Sequence, residues 1–450
     1  MRTYQDLLAV GADEKKRKDF VRALIQEHKT SPDYKIAADA YEYYCHRNVT
    51  INNFQKLLYT VSGEAVPDNW SANFKMANNN FHKFIKQQVQ HLLGNGISWN
   101  NNDTESKLGT DEKSIDRKAI EAAKAALWGK VSFGFYDNDH VEVFDYLHFA
   151  PLYDELDGSL KAGVRFWQID NNKPLKGVLY EIDGFTKYVW GADDTVNDEP
   201  KRKYKRVIAT TEADGDEIFN ETNYPTFPIV PFWGNELHQS EIVGLREQID
   251  CFDLIKSGYA NTVDEASIVF WTISNAGGMD DVDLAKFVER LKTVHAATID
   301  DDGAKAESHS QEIPYESREK LLDRLDADMY RDFQAFDIRR VAGGAITATE
   351  ILAAYEDLNS KCDDFEYLVI DWLKGIMAVA GVDDSPTFTR SQVVNKEEMI
   401  GIVLQAAQYL STEYVTRKVL DILGDGDQAE QIIKEMDAEQ RDRFTEPIEE

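Results

Sequence analysis

Two long apolar stripes at helical spacing, enclosing a segment of different plan, restrict the fold more than any other feature of the chain. Ser240 to Ala266 carries Ile242, Leu245, Ile249, Phe252, Ile255 and Tyr259. At 1.5 Å per residue, that helix spans about 40 Å. Residues 315–338 repeat the pattern through Leu322, Leu325, Met329, Phe333 and Phe336. The segment between them reads as a strand at Ile268–Ile273, a helix at Asp280–Val294 and two short strands around an Asp300-Asp301-Asp302-Gly303 turn. A small α/β module is therefore expected at the end of two rods, a stalk with a head.

After the second rod comes RRVAGGAITATEI. Gly343-Gly344 breaks a helix. Thr347 and Glu350 have the T-x-x-E spacing of a capping box that restarts one. The new helix carries Ile351, Tyr355, Leu358, Cys362, Phe365, Val369, Trp372, Ile376 and Val379. Their alternating four- and three-residue steps predict a seam about 45 Å long packed on another long helix. The glycine pair has two readings, an ordinary bend or a flexible loop presented into a channel beside Arg339 and Arg340. Ser257, Ala260, Asn261 and Asp264 beside Gly258 mark either a weak stretch of helix or a place where long helices approach closely.

Residues 1–130 read as helical, with Ser31-Pro32-Asp33 opening one helix and Phe81 to Leu93 forming another that Gly94 stops. Asn100 to Lys113 reads as a disordered loop, and Ala119 to Trp128 as a short helix. From about 130 to 235 the period falls to two, which predicts an antiparallel β region with a tight turn at Asp183-Gly184. Thr195 to Lys205 reads as exposed and mobile. Pro225, Pro228 and Pro231 impose an extended connection. Residues 395–450 read as helical again, with Ser411 capping a helix that Gly424 ends. The fold class is α+β, mainly helical.

The charge balance sorts the possible partners. Fifty Lys and Arg against 81 Asp and Glu leave a net charge of −31. That excludes a broad grip on phosphates, whose affinity is built from basic contacts, and it disfavours an anionic membrane surface. Cys45, Cys251 and Cys362 include no CxxC pair, so a thiolate zinc knuckle is excluded. No phosphate loop and no G-x-G-x-x-G follow a strand. The histidines do not fall at H-E-x-x-H, and His82 and His91 read as surface residues. Asp300 to Gly303 and Asp425-Gly426-Asp427 lack the calcium-loop pattern and read as solvated turns. No catalytic, cofactor-binding or metal-ligating residue is nominated. The first residues lack an apolar signal core, and Leu368 to Val382 is interrupted by Asp371 and Lys374. A soluble intracellular protein without a membrane partner is therefore expected.

Four stretches, in order, resemble the portal proteins of tailed bacteriophages, in particular the long, non-contractile-tailed phages of Gram-positive hosts. They are ANNNFHKFIKQQVQHLLGNGISW with Leu92-Leu93-Gly94, YPTFPIVPFWGNELHQSEIVGLREQIDCFDLIKSGYANTVDE, ATIDDDGAKAESHSQEIP, and GGAITATEI followed later by LSTEYVTRKVLDILGDGDQAEQIIKEM. In the second, the matching positions are Pro228, Pro231, Phe232, Asn235, Ser240, Asp250, Ser257 and Asn261.

The resemblance implies a portal fold: a wing over 1–235, with its β part at about 130–235, and a first stem helix at 236–266. It further implies a clip at 267–314, a second stem helix at 315–338, a tunnel loop at 339–350, a long wing helix and connection at 351–389, and a crown at 390–450. The stem would be packed by Ile249, Phe252, Gly258, Leu325, Met329 and Phe333. The DNA-facing loop would present Arg339, Arg340, Gly343, Gly344, Ala345, Ile346 and Thr347. The clip would meet its partners through Lys286, Arg290, Asp301 and Gly303. The implied assembly is a homo-oligomeric ring of about twelve copies at one capsid vertex of the virion, assembled in the host cytoplasm. Double-stranded DNA passes through it without sequence-specific binding. The implied partners are the terminase motor, a head-tail connector, and the major capsid and scaffold proteins.

An acidic conduit repels DNA over about a Debye length, near 8 Å at physiological salt, so the charge that excludes a DNA-gripping protein suits a channel. Two further readings are an acidic hydrolase using a carboxylate pair and another phage structural component of the minor capsid or baseplate.

Overall fold

A computed structural model describes residues 2–59, 63–69, 71–101, 103–191, 199–211, 217–266, 270–274, 305–309, 315–340, 348–391, 396–423, 429 and 431–436. The fold is mixed helix and strand, and it divides into two compact units. The first comprises Met1–Tyr41, Lys83–Glu241 and Asp332–Glu450, the second Glu42–His82 and Ile242–Arg331.

The first unit is built around two antiparallel sheets. Strands Phe149–Tyr153, Leu160–Trp167, Leu175–Glu181, Gly184–Trp190 and Glu199–Arg202 form a five-stranded meander in sequence order. Strand Val131–Asp137 is the centre of a three-stranded sheet, between Ile229–Trp233 and His140–Asp145. Pro231 lacks an N–H donor and sits on an edge strand of that sheet, where the loss is tolerated.

Period-two alternation assigns the side chains to layers. In the five-stranded sheet, Ala150, Leu152, Ala162, Val164, Phe166, Leu179, Tyr188 and Trp190 face one way, onto Leu7, Phe20, Val21, Leu24 and Ile25 of the first two helices. The opposite face meets the smaller sheet in an aromatic seam. Phe133 lies 4.4 Å from Phe149 between ring centroids, and Phe135 lies 5.2 Å from Tyr180.

The other face of strand Val131–Asp137 carries Ser132 and Gly134. Ser132 Oγ donates to the Ala122 carbonyl at 2.8 Å in helix Ile115–Gly129. Gly134 opens space for Trp372, because a Cβ there would sit 2.7 Å from the indole. Helix Ala348–Ala380 therefore lies across the small sheet. Phe232 stacks on Phe365 and Trp372, and a Cβ on Gly375 would meet Val230 at 2.6 Å.

The sequence expectations divide sharply. All the stripe residues from Tyr355 to Val379 are buried, as their spacing requires. Their partners differ from the expected long helix: most of the seam lies on a sheet, and Cys362 faces the Gln88 carbonyl of helix Asn80–Leu93. Asn100 to Lys113 contains helix Asp103–Leu108, with Leu108 buried, and a short 3-10 turn. The helix expected at Ala119–Trp128 begins earlier, at Ile115, capped by the Ser114 hydroxyl. Within Thr195 to Lys205, residues 199–202 pair with strand Gly184–Trp190. The tight turn falls at Ile182-Asp183, with Glu181 opposite Gly184. His91 is buried, its Nδ1 2.8 Å from the Ser391 carbonyl and its Nε2 2.8 Å from Asn359 Oδ1, so it is not the surface residue expected. Gly424 and the turns at Asp300 and Asp425 lie outside the described residues.

In the second unit the first rod is helix Arg246–Ala266, shorter than expected because Gly244 adopts a positive φ of 90° and ends the regular stretch. The second is helix Tyr315–Phe333, stopped by Gln334 in the left-handed region at φ 62°. Strands Phe270–Ser274 and Lys305–His309 pair antiparallel, from Phe270 opposite His309 to Ser274 opposite Lys305. Among the described residues, no helix is long and apolar enough to cross a membrane.

Candidate functional site

The helix Arg246–Ala266 is organised by a polar ladder. Asp253, Ser257 and Asn261 recur every fourth residue on one face. An extended segment runs along that face and donates every second backbone N–H. Asn78 N reaches Asp253 Oδ1 at 2.9 Å, Met76 N reaches Ser257 Oγ at 2.9 Å, and Phe74 N reaches Asn261 Oδ1 at 2.7 Å. Four helical residues advance about 6 Å, and two extended residues advance about 6.6 Å. The two repeats match closely enough for three rungs.

The ladder gives the Ser257–Asn261 stripe a role that neither sequence reading contained. Among the described residues of a single chain, a Cβ on Gly258 would meet nothing within 4 Å.

The lower end of the ladder is buried. Asp253 is fully inaccessible and also accepts from Asn48 Nδ2 and Asn78 Nδ2, each at 2.8 Å. Burial pushes its carboxyl above the usual range, and the three amide donors work against that shift. One turn earlier, Asp250 accepts from the Tyr43 and Thr50 hydroxyls at 2.5 and 2.7 Å. Segment 42–82 is thereby fastened to the helix at both depths.

The start of helix Tyr315–Phe333 meets the end of this helix at Tyr259 and Thr262. Tyr259 and Tyr315 pack edge to face at 5.9 Å, and Arg318 Nη1 donates to Thr262 Oγ1 at 3.1 Å. Further along, Asp326 accepts from Asn80 Nδ2 at 3.1 Å.

Among the expected packing residues, Ile249, Met329 and Phe333 are buried, whereas Phe252 and Leu325 are half-buried. Phe333 stacks on Phe84 at 5.0 Å and lies under the Lys361 ammonium, 3.5 Å from its ring centre. That ammonium in turn pairs with Glu241 at 2.6 Å.

Arg339 is committed to a neighbour. Its Nε and Nη2 each donate to the Asp337 carboxylate at 2.9 Å. Although burial works against it, this fork holds the Asp337 carboxyl below its usual range. Arg340 closes the same short 3-10 turn. Gly343, Gly344, Ala345, Ile346 and Thr347 lie outside the described residues, as do Lys286, Arg290, Asp301 and Gly303.

In the first unit, the tip of hairpin Val131–Asp145 brings Asp137, His140 and Glu142 together, with one ligand atom from each within 4.8 Å of the others. Sequence reasoning missed this group because D-x-x-H-x-E becomes a cluster only once the hairpin register is known.

Comparison with known proteins assigns the chain. The profile of one family, described as "Phage portal protein, SPP1 Gp6-like", matches residues 25–442. The portal protein of Bacillus phage SPP1 is 21% identical over 435 residues, covering 86% of this chain and 79% of that protein. The portal protein of Clostridium phage phiCD119 is 23% identical over 265 residues, covering 54% of this chain. This chain spans 59% of the Clostridium phage protein's length. A solved structure titled "Neck of native GTA particle computed with C12 symmetry" aligns over 76% of this chain and 89% of its own, at 10% identity and a TM-score of 0.42. The family match covers well over half of the residues, and the chain therefore belongs to the phage portal proteins of the SPP1 Gp6-like type, a structural family.

Proposed function

We propose that this chain closes into a ring of about twelve copies at one vertex of a phage head, and that double-stranded DNA enters and leaves through the ring. The family match over residues 25–442 carries the reading. In this assignment residues 1–235 and 351–389 form the wing, and helices within 236–266 and 315–338 form the stem. Residues 267–314 form the clip that docks the terminase motor and later the connector. Residues 339–350 form the tunnel loop, and 390–450 the crown. The major capsid and scaffold proteins surround the ring, which assembles in the host cytoplasm before becoming part of the virion.

The net charge of −31 supports a conduit, because repelled DNA slides and bound DNA stalls. It also bears on assembly. Twelve chains would carry about −372 formal charges, so subunit contacts must rest on apolar surface and shape. The engaged fork of Arg339 on Asp337 supports the same picture, since it withdraws one basic group from any grip on phosphate. Packaging consumes nucleotide and the sequence carries no phosphate loop, so the motor is assigned to a separate polypeptide.

Light scattering on the purified chain tests the reading. A ring of twelve 51.3 kDa chains has a mass of about 616 kDa. A monomer or dimer at every concentration and salt would overturn it.

A further inference from the structure

We propose that Asp137, His140 and Glu142 bind one first-row divalent cation, of the Zn2+ or Mn2+ class. The site follows from register. Asp137 is paired directly with His140 across the hairpin, and Glu142 lies two residues beyond, opposite Phe135. All three side chains therefore project from the same face of the sheet. That face is the one whose aromatic seam joins the two sheets, so the cluster sits where the seam ends at the hairpin tip.

Each group keeps an atom to give. His140 is 9% exposed, and its Nδ1 lies 2.8 Å from Asp139 Oδ1. A carboxylate on one ring nitrogen is the usual partner of a metal-bound imidazole, because it orients the ring and leaves the other nitrogen as the lone-pair donor. Among the described residues, no hydrogen bond reaches its Nε2. Asp137 Oδ1 accepts from Asn138 Nδ2 at 2.9 Å, and Glu142 Oε2 accepts from Arg165 Nη1 at 3.1 Å. The second oxygen of each carboxylate has no hydrogen-bond partner among the described residues.

Tetrahedral ligands at about 2.1 Å from a metal lie about 3.4 Å apart. One ligand atom from each of the three residues lies within 4.8 Å of the others, near that spacing. One imidazole with two carboxylates selects against Mg2+ and Ca2+, which take oxygen ligands, and against thiolate-seeking ions. A bound ion would join both strands at the hairpin tip. Through Glu142 and Arg165 it would also tie that tip to the five-stranded sheet. With three protein ligands, at least one position remains for water or an outside donor.

The 450-residue chain, stripped with EDTA, is titrated with Zn2+ and separately with Mn2+ by calorimetry, and with Co2+ by visible absorption. One saturable site per chain is expected, with a Co2+ spectrum that reports nitrogen and oxygen ligands. His140→Ala and the conservative Asp137→Asn should each weaken Zn2+ binding at least tenfold while circular dichroism is unchanged. His148→Ala, an exposed histidine paired with Asp145, should leave binding as in the wild type. Absence of saturable binding at one ion per chain overturns the proposal. Undiminished affinity in a folded His140→Ala or Asp137→Asn variant also overturns it. The outcome is independent of whether the chain forms rings.

Discussion

The ladder on helix Arg246–Ala266 makes a quantitative prediction about Asp253. Replacing it by alanine leaves three amide donors without an acceptor: the Asn78 backbone N–H and the side-chain amides of Asn48 and Asn78. Each buried unsatisfied donor costs about 1–3 kcal/mol, and the removed carboxylate recovers its own desolvation cost. A net loss of about 3 kcal/mol is expected, close to a hundredfold rise in the opening equilibrium of segment 74–78. Asp253→Asn keeps an oxygen for the two Asn78 donors and sheds the buried charge but turns an amide NH2 toward Asn48 Nδ2, so it should cost about 1–2 kcal/mol. Hydrogen–deuterium exchange on a peptide spanning 72–80 reads the effect directly, at Asn78 first and then at Met76 and Phe74. Slow exchange that persists in Asp253→Ala would refute the ladder. Equal damage from both substitutions would refute the part assigned to hydrogen bonding.

Three further outcomes follow from the packing and the charge. Gly134→Val forces a Cβ to within 2.7 Å of the Trp372 indole and should lower stability by about 2–3 kcal/mol in urea unfolding; an unchanged midpoint would count against the stacking of helix Ala348–Ala380 on the sheet. His28 is buried, with Nε2–H donating to the Tyr146 carbonyl at 2.8 Å, and desolvation lowers its pKa to about 4. A depressed histidine contributes stability that is whole above its unfolded value of 6.5 and is lost as pH falls to about 4. His28→Gln should therefore flatten the acid limb of the melting-temperature profile between those values, and a limb as steep as the wild type would contradict that assignment. Ring formation should strengthen with added salt, which screens repulsion between acidic subunits, and rings that dissociate as salt rises would argue against charge as the opposing force.

Some elements were legible in the sequence and others were not, for separable reasons. The stripe from Tyr355 to Val379 declared a long buried helix because periodicity records which face is hidden. It did not declare the partner, since Phe365 and Trp372 would show the same spacing against a helix or against the Phe232 strand that they meet. The small residues Gly134 and Gly375, which make that packing possible, look unremarkable in a string. Ser240 to Leu245 carries the right apolar spacing for helix, yet Gly244 at positive φ ends it. Segment 74–78 was invisible because its ladder uses backbone N–H groups, which every sequence possesses. The Asp137, His140 and Glu142 group has the same cause: hairpin register, not sequence distance, sets its proximity.

The central claim is that copies of this chain close around a hole. Averaged electron images of the purified protein test it most directly. End-on views should show a closed ring of about twelve subunits with an open centre wide enough for duplex DNA. Solid particles without a central opening, at concentrations where the protein is fully associated, would contradict the account.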